Sequence, residues 1–134
     1  MPALQSLVLK DRTTPTPVDH TFTPDNLASG VGTVVESTGV KLGDSKFSVS
    51  SRKTANGRYR ASLKLEIPKV ENAVINGVTV PTVTRIAYAT VDFSFHGEST
   101  TAERNNLVGM LADSLATSKV LVNSTVVGLE GVWG

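Results

Sequence analysis

Two stretches of alternating side chains, joined by a glycine-containing turn, constrain this chain most strongly. Residues 46–52 carry polar or basic side chains mostly at even positions and large apolar ones at odd positions, and residues 58–67 repeat the alternation. A period of two is typical of β-strands that have one polar and one apolar face. Between them lie residues 54–57, where Gly57 in the left-handed conformation would close a three-residue loop. The pattern therefore predicts an antiparallel β-hairpin.

The register of this hairpin follows from the rule that directly opposed residues face the same side of a sheet. The predicted pairs are Lys46 with Glu66, Ser48 with Lys64, Ser50 with Ser62, and Arg52 with Arg60. Opposed arginines repel each other, so this last pair is unfavourable unless a polyanion lies across the face. Phosphate groups are the polyanion that we expect.

Charge is concentrated on the same hairpin. Residues 46–69 contain seven basic residues and one acid, a net charge of +6, whereas the rest of the chain contains six and eleven, a net charge of −5. Such a strip, within a chain of formal net charge +1, is typical of a phosphate-binding surface. The alternative is a solvated sheet face that its lysines and arginines keep soluble. Three hydroxyl side chains along the strip favour binding.

Composition limits the fold and the chemistry. A length of 134 residues with 40% apolar content predicts a single globular domain, 1–134. Aromatic residues make up only 5%, which indicates a thin core and favours oligomerisation. The absence of cysteine excludes disulfides and thiol chemistry. Neither a secretory signal nor an apolar run of membrane-spanning length is present, so we expect synthesis in the cytosol and no membrane partner.

The remaining strands and loops follow from alternation and turn residues. Further strands are predicted at 4–10, 20–23, 31–36 and 84–96. In the last strand, one face carries Tyr88, Thr90, Asp92 and Ser94. Residues 71–81 are predicted to form a long loop, with a tight turn at Asn76–Gly77.

The period changes after the last strand. Thr100 and Glu103 have the spacing of a capping box, in which Thr100 caps the helix and Glu103 occupies its third position. The apolar stripe that follows consists of Leu107, Met110, Leu111 and Leu115. We predict one helix that ends near Ser118 and a second over residues 120–127. Because both helices follow all the strands, the fold class is α+β, with helices on one face of an antiparallel sheet.

Catalytic patterns are not evident. His20 and His96 are the only histidines, and both are interpreted as satisfied or exposed surface residues. The acidic residues are scattered, which argues against a carboxylate pair or a metal site. We therefore expect no enzyme activity, no catalytic residue, no metal and no cofactor.

Several segments together resemble the coat proteins of the small single-stranded RNA bacteriophages, the leviviruses. The resemblance covers essentially the whole chain, in the family's order and spacing. The matching segments are 26–31, 65–70, 76–81, 85–95 and 99–104.

This resemblance implies a particular architecture and function. The expected fold is an N-terminal β-hairpin, a five-stranded antiparallel sheet and two C-terminal helices, paired as an intertwined homodimer whose helices lie over the partner's sheet. Dimers would assemble a T=3-type icosahedral shell around the genomic single-stranded RNA. The dimer would also bind an operator hairpin in the viral RNA, repressing translation and marking the genome for packaging. The protein would be made and assembled in the bacterial cytoplasm and end in the virion.

The resemblance also implies RNA-binding positions. The family's base-binding pocket corresponds to Val31, Ser48, Ser50, Ser62 and Lys64, and Tyr88 corresponds to the tyrosine that stacks on an unpaired base. The other RNA-facing positions are Lys46, Arg52, Arg60, Glu66 and Thr90. Two alternatives remain open: a non-viral RNA-binding module that uses a sheet face, and a small enzyme.

Overall fold

The computed structural model describes residues 2–37, 39 and 41–134, and within them the secondary structure follows the order predicted from the sequence. The strands are β1 Leu7–Lys10, β2 Asp19–Ala28, β3 Val31–Glu36, β4 Ser45–Lys53, β5 Tyr59–Ile75 and β6 Val78–Phe95. The helices are α1 Thr101–Ser114 and α2 Val120–Val126, and a short 3₁₀ helix spans Lys41–Gly43. Gly39 and Gly43 predict a loop after the strand at 31–36, and part of this loop lies outside the described residues.

The described strands form one sheet in which each strand neighbours the next along the chain, in the order β1 to β6. The α+β class is confirmed, with one difference: the N-terminal hairpin and the expected five-stranded sheet share a strand and so form one sheet of six strands. The reason is that β2 takes part in both: residues 19–22 pair with β1, and residues 23–28 pair with β3. The register shifts between Pro24 and Asn26, so Asp25 is a bulge at this transition.

The basic hairpin has the predicted register. β4 and β5 pair Lys46 with Glu66, Ser48 with Lys64, Ser50 with Ser62, and Arg52 with Arg60. At the loop, the Gly57 amide donates a hydrogen bond to the Thr54 carbonyl at 3.0 Å. Gly57 has φ +77°, the left-handed conformation that the three-residue loop requires. Alternation of polar and apolar faces was therefore sufficient to determine this register.

The predicted long loop at 71–81 is wrong. β5 continues to Ile75 and β6 begins at Val78, which leaves only Asn76 and Gly77 in the turn. Their φ values are +51° and +78°, as in the type I′ turn that matches the twist of a hairpin. Pro81 lies within β6, whose only neighbour among the described strands is β5. An edge strand tolerates a residue without an amide hydrogen.

The chain divides into two compact units, one ending at Ser94 and one beginning at Phe95. In the first unit, the buried apolar core among the described residues consists of Phe22 and Val34, at 3% and 5% exposure. A Cβ on Gly32 would lie 3.0 Å from Leu4 Cδ1, so the N-terminal segment packs closely at this position. This small core agrees with the low aromatic content.

In the second unit, the predicted cap is confirmed. The Thr100 hydroxyl accepts a hydrogen bond from the Glu103 amide at 3.2 Å. α1 ends at Ser114, four residues before the predicted position, because the Leu115 and Ala116 amides donate to carbonyls three residues back and tighten the last turn. Neither helix contains a buried residue, and Met110 of the apolar stripe is 74% exposed.

His20 is a satisfied surface residue, as predicted. Its Nε2 lies 2.8 Å from an Asp11 carboxylate oxygen, and its Nδ1 lies 2.8 Å from a Glu36 carboxylate oxygen. Both ring nitrogens donate only when the imidazole is protonated, so this clamp joins the loop after β1 to the end of β3 through a cation. The bond to Asp11, followed by that to Glu36, raises the pKa of His20. The His20 bond and the Val18 and Thr13 amides lower the pKa of Asp11.

These directions determine the pH dependence of the clamp. The raised pKa of His20 means that its contribution is complete below the ordinary value of 6.5 and is lost as the pH rises through the raised value. The lowered pKa of Asp11 means that its contribution is lost only in acid. We expect NMR titration of the His20 ring to give a midpoint above 6.5, which Asp11→Asn lowers. A midpoint at or below 6.5, unchanged in Asp11→Asn, would contradict the clamp.

Candidate nucleic-acid interface

One face of the first unit, here called the basic face, carries mostly polar side chains from four neighbouring strands. It carries Val31 from β3, Lys46, Ser48, Ser50 and Arg52 from β4, Arg60, Ser62, Lys64 and Glu66 from β5, and Tyr88 and Thr90 from β6. The registers of β3, β4 and β5 arrange most of them in rows across the strands. One row is Val31–Ser50–Ser62, the next is Thr33–Ser48–Lys64, and the third is Val35–Lys46–Glu66. The predicted pocket positions are thus adjacent in the fold.

β6 adds an aromatic ring and a carboxylate to these rows. The Lys64 ammonium lies 5.5 Å from the centre of the Tyr88 ring, within the range of a cation–π interaction. The Ser62 hydroxyl donates a hydrogen bond to Asp92 at 2.6 Å. Thr90 is exposed at the alternate position between Tyr88 and Asp92. Tyr88 is 61% exposed, so its ring is available for stacking.

Arg52 and Arg60 are directly opposed, as predicted, and both are exposed. Among residues 2–37, 39 and 41–134, no carboxylate lies within 4.0 Å of either guanidinium. Lys64 differs, because its ammonium lies 3.1 Å from Glu66. An exposed ion pair of this kind contributes little to stability, so a phosphate could exchange with the Glu66 carboxylate. The face therefore offers an uncompensated pair of arginines and a weakly paired lysine.

An open cleft of about 310 Å³ extends from the rows toward β2. Its lining residues are Asp25, Asn26, Thr33, Lys46, Ser48, Lys64 and Glu66. The hydroxyls of Thr33 and Ser48 lie 3.3 Å apart, and either can be the donor. The bulge at Asp25 brings the β2 side chains to this cleft.

Sequence reasoning missed several members of this face. Thr33 could have been found from the alternation of β3, because it lies two residues after Val31. The position of Asn26 depends on the bulge in β2, which the alternation of side chains does not predict. Asp92 was placed on the polar face, but its bond to Ser62 depends on the pairing of β5 with β6.

The described part of the chain contains no group of three or more His, Asp or Glu side chains placed to hold a metal ion. Among the described residues, no helix is both long and apolar enough to cross a membrane. The described residues present a surface rich in basic side chains, an open cleft lined mostly by charged and polar side chains, and an exposed aromatic ring.

Known proteins of one family are similar to this chain over nearly its whole length. The levivirus coat protein family model matches residues 2–133. The chain belongs to the levivirus coat protein family. It is 54% identical over 130 residues to the capsid protein of Pseudomonas phage PRR1, covering 97% of this chain and 98% of that protein. This levivirus coat protein is therefore a capsid protein, a structural component of a bacteriophage virion.

Solved structures agree with the family assignment. The capsid protein of bacteriophage GA superposes with a TM-score of 0.82 at 23% identity, covering 98% of both chains. The virus-like particle protein of Beihai levi-like virus 21 gives a TM-score of 0.79 at 26% identity, covering 99% of this chain and 100% of that one. The sheet with two C-terminal helices is thus the fold of levivirus coat proteins.

Proposed function

We propose that this coat protein forms an intertwined homodimer, assembles a T=3-type icosahedral shell around single-stranded genomic RNA, and binds an operator hairpin as translational repressor and packaging signal. The observation that carries the proposal is the basic face, where a pocket of small side chains lies between an exposed tyrosine and two opposed arginines. Residues 1–134 act together as one coat-protein domain. Synthesis and assembly take place in the cytoplasm of the bacterial host.

The edge strand supports a dimer. β6 spans 18 residues and has β5 as its only neighbour within the described chain. A long unpaired edge is a template for another strand, so a second copy is its natural partner. Two β6 strands paired antiparallel would make one continuous sheet with both basic faces on the same side.

Exposed apolar side chains support the same dimer. On the sheet face opposite the basic one, Val49 and Ile67 are exposed in the single chain. In the second unit, Met110, Val120 and Leu121 line an apolar groove of about 410 Å³. Helices laid over the partner's sheet would bury both surfaces, which the small core of one chain leaves exposed.

The basic face supports RNA binding in two distinct ways. Arg52 and Arg60 would contact phosphates, which relieves their mutual repulsion and contributes to affinity for any RNA. The pocket row would receive an unpaired base, and Tyr88 would stack on one. Sequence recognition then resides in the pocket and the ring, and electrostatic attraction in the arginines.

The alternative functions lack comparable support. Sheet-face RNA-binding modules stack bases on several aromatic rings, and the basic face offers only Tyr88 among the described residues. The 54% identity to a phage capsid protein favours the coat-protein function over both the module and the enzyme.

Expression of the chain alone in bacteria tests this function. We expect particles of uniform diameter that contain nuclease-protected host RNA, because dimerisation, assembly and RNA binding are all properties of the one chain. Size-exclusion chromatography followed by electron microscopy provides the measurement. Recovery only of small soluble species, with no bound RNA, would contradict the proposal.

A further inference from the structure

The hydrogen bond between Ser62 and Asp92 fixes the role of one pocket hydroxyl. The Ser62 oxygen lies 2.6 Å from Asp92 Oδ1, a short distance typical of a bond to an ionised acceptor. A carboxylate can only accept, so the single hydroxyl hydrogen of Ser62 points at Asp92. The lone pairs of Ser62 are then all that it presents to a ligand.

The neighbouring hydroxyl differs. Ser48 lies 3.3 Å from Thr33, and either group can donate, so Ser48 adapts to a donor or an acceptor on a base. Ser62 occupies the same row as Val31 and Ser50, at the predicted base position. The pocket therefore combines an adaptable hydroxyl with one that is restricted to accepting.

The negative charge of Asp92 is also unfavourable for RNA binding at this position. It is exposed on the face that carries Arg52 and Arg60, and a carboxylate there repels phosphate. No Lys or Arg among the described residues forms an ion pair with it. Glu66, the other acid of the face, is paired with Lys64 at 3.1 Å. The contact that distinguishes Asp92 is its bond to the pocket serine.

We propose that Asp92 is a specificity-determining positioning residue, which orients Ser62 so that the pocket selects an unpaired base with an exocyclic amino group over one with a carbonyl oxygen at that position. The inference rests on the proposed RNA-binding function. An amino group donates to the Ser62 lone pairs, as in adenine or cytosine. A base with a carbonyl oxygen at that position would direct its lone pairs at those of Ser62. Neither oxygen would then gain a hydrogen bond.

The experiment begins with selection of RNA hairpins from a pool randomised in its unpaired positions, using the wild-type dimer. One selected hairpin is then synthesised with adenine, with purine, which lacks the amino group, or with hypoxanthine, which carries a carbonyl oxygen. Affinities are measured for the wild type, Asp92→Asn, Asp92→Glu, Ser62→Ala and the Ser62→Ala/Asp92→Asn double variant. Glu71→Gln is the matched control, because it removes the same charge from β5 at a position outside the basic face, where Glu71 pairs with Arg85. Size-exclusion chromatography verifies that each variant is a folded dimer.

The wild type should select adenine or cytosine at an unpaired position and prefer adenine over hypoxanthine by about tenfold, the range of one hydrogen bond. Purine should fall between the two. Asp92→Asn should reduce the preference to about twofold or less, because its amide can donate as well as accept and no longer fixes the hydroxyl. Asp92→Glu and Glu71→Gln should retain the preference. In the Ser62→Ala background, Asp92→Asn should have no further effect on it.

Other results overturn the inference. An unchanged preference in Asp92→Asn would do so, and so would an equal loss in Glu71→Gln. An undiminished effect of Asp92→Asn without Ser62, or selected hairpins that lack an unpaired adenine or cytosine, would also do so. Failure of the selection to enrich any hairpin would instead contradict the proposed RNA-hairpin function itself. The two failures are therefore distinguishable.

Discussion

Met110→Asp is expected to abolish both dimer and shell while leaving the single chain folded. Met110 is 74% exposed in the chain and lines the apolar groove with Val120 and Leu121. In the proposed dimer this groove is covered, and burying an unpaired carboxylate there costs several kcal/mol. Size-exclusion chromatography and electron microscopy would show loss of particles, and circular dichroism would show retained secondary structure.

The choice of residue and control makes this result interpretable. Leu111→Asp should also prevent assembly, but Leu111 is half-buried within its own chain, so the variant combines two effects. Asn105→Asp adds the same charge at an exposed position of α1 and should assemble normally. Normal particles from Met110→Asp, or equal loss in Asn105→Asp, would contradict the proposed burial of the groove.

The sequence was most informative where the two faces of a strand differ. In β4 and β5, slipping the register by one residue would place the basic side chains among the apolar ones, so alternation predicted all four pairs from Lys46–Glu66 to Arg52–Arg60. The same difference between faces placed Tyr88 and Thr90 on the polar face of the last predicted strand, and the resemblance to the coat-protein family placed them beside this hairpin. Most of the basic face could therefore be predicted without a structure.

Prediction failed where local signals conflict. Asn76, Gly77 and Pro81 were interpreted together as a long loop, although only the first two form the turn. Proline disfavours a central strand but is tolerated at an edge, and edge position depends on the whole sheet. The bulge at Asp25 and the bond from Ser62 to Asp92 likewise depend on tertiary pairing, which a single sequence does not encode locally.

The helices illustrate a different limit. The Thr100 cap was predictable, because capping is a local interaction. The surface that covers the predicted apolar stripe could not be predicted in this way, since Met110 and Leu115 remain exposed in one chain. The resemblance to a dimeric coat protein, rather than helical periodicity, supplies the proposed cover.

The second large effect separates electrostatic contacts from base recognition. Arg60→Ala is expected to weaken binding of every RNA alike and to reduce the slope of log affinity against log salt by about one per lost phosphate contact. Ser62→Ala and Tyr88→Ala are expected to cost about 1–3 kcal/mol against the selected hairpin only, with an almost unchanged salt slope. Arg85→Ala is the matched control, because Arg85 lies at an odd position of β6, away from Tyr88, and pairs with Glu71.

A salt titration of purified dimers against two RNAs, below the concentration for shell formation, tests the central claim most directly. One RNA is the selected hairpin, and the other lacks only its unpaired base. If the basic face reads RNA as proposed, Arg60→Ala will lose affinity for both and change the slope, whereas Ser62→Ala will lose affinity for the first alone. The same loss on both RNAs, with the same change in slope for Arg60→Ala and Ser62→Ala, would contradict the claim and leave only a basic surface.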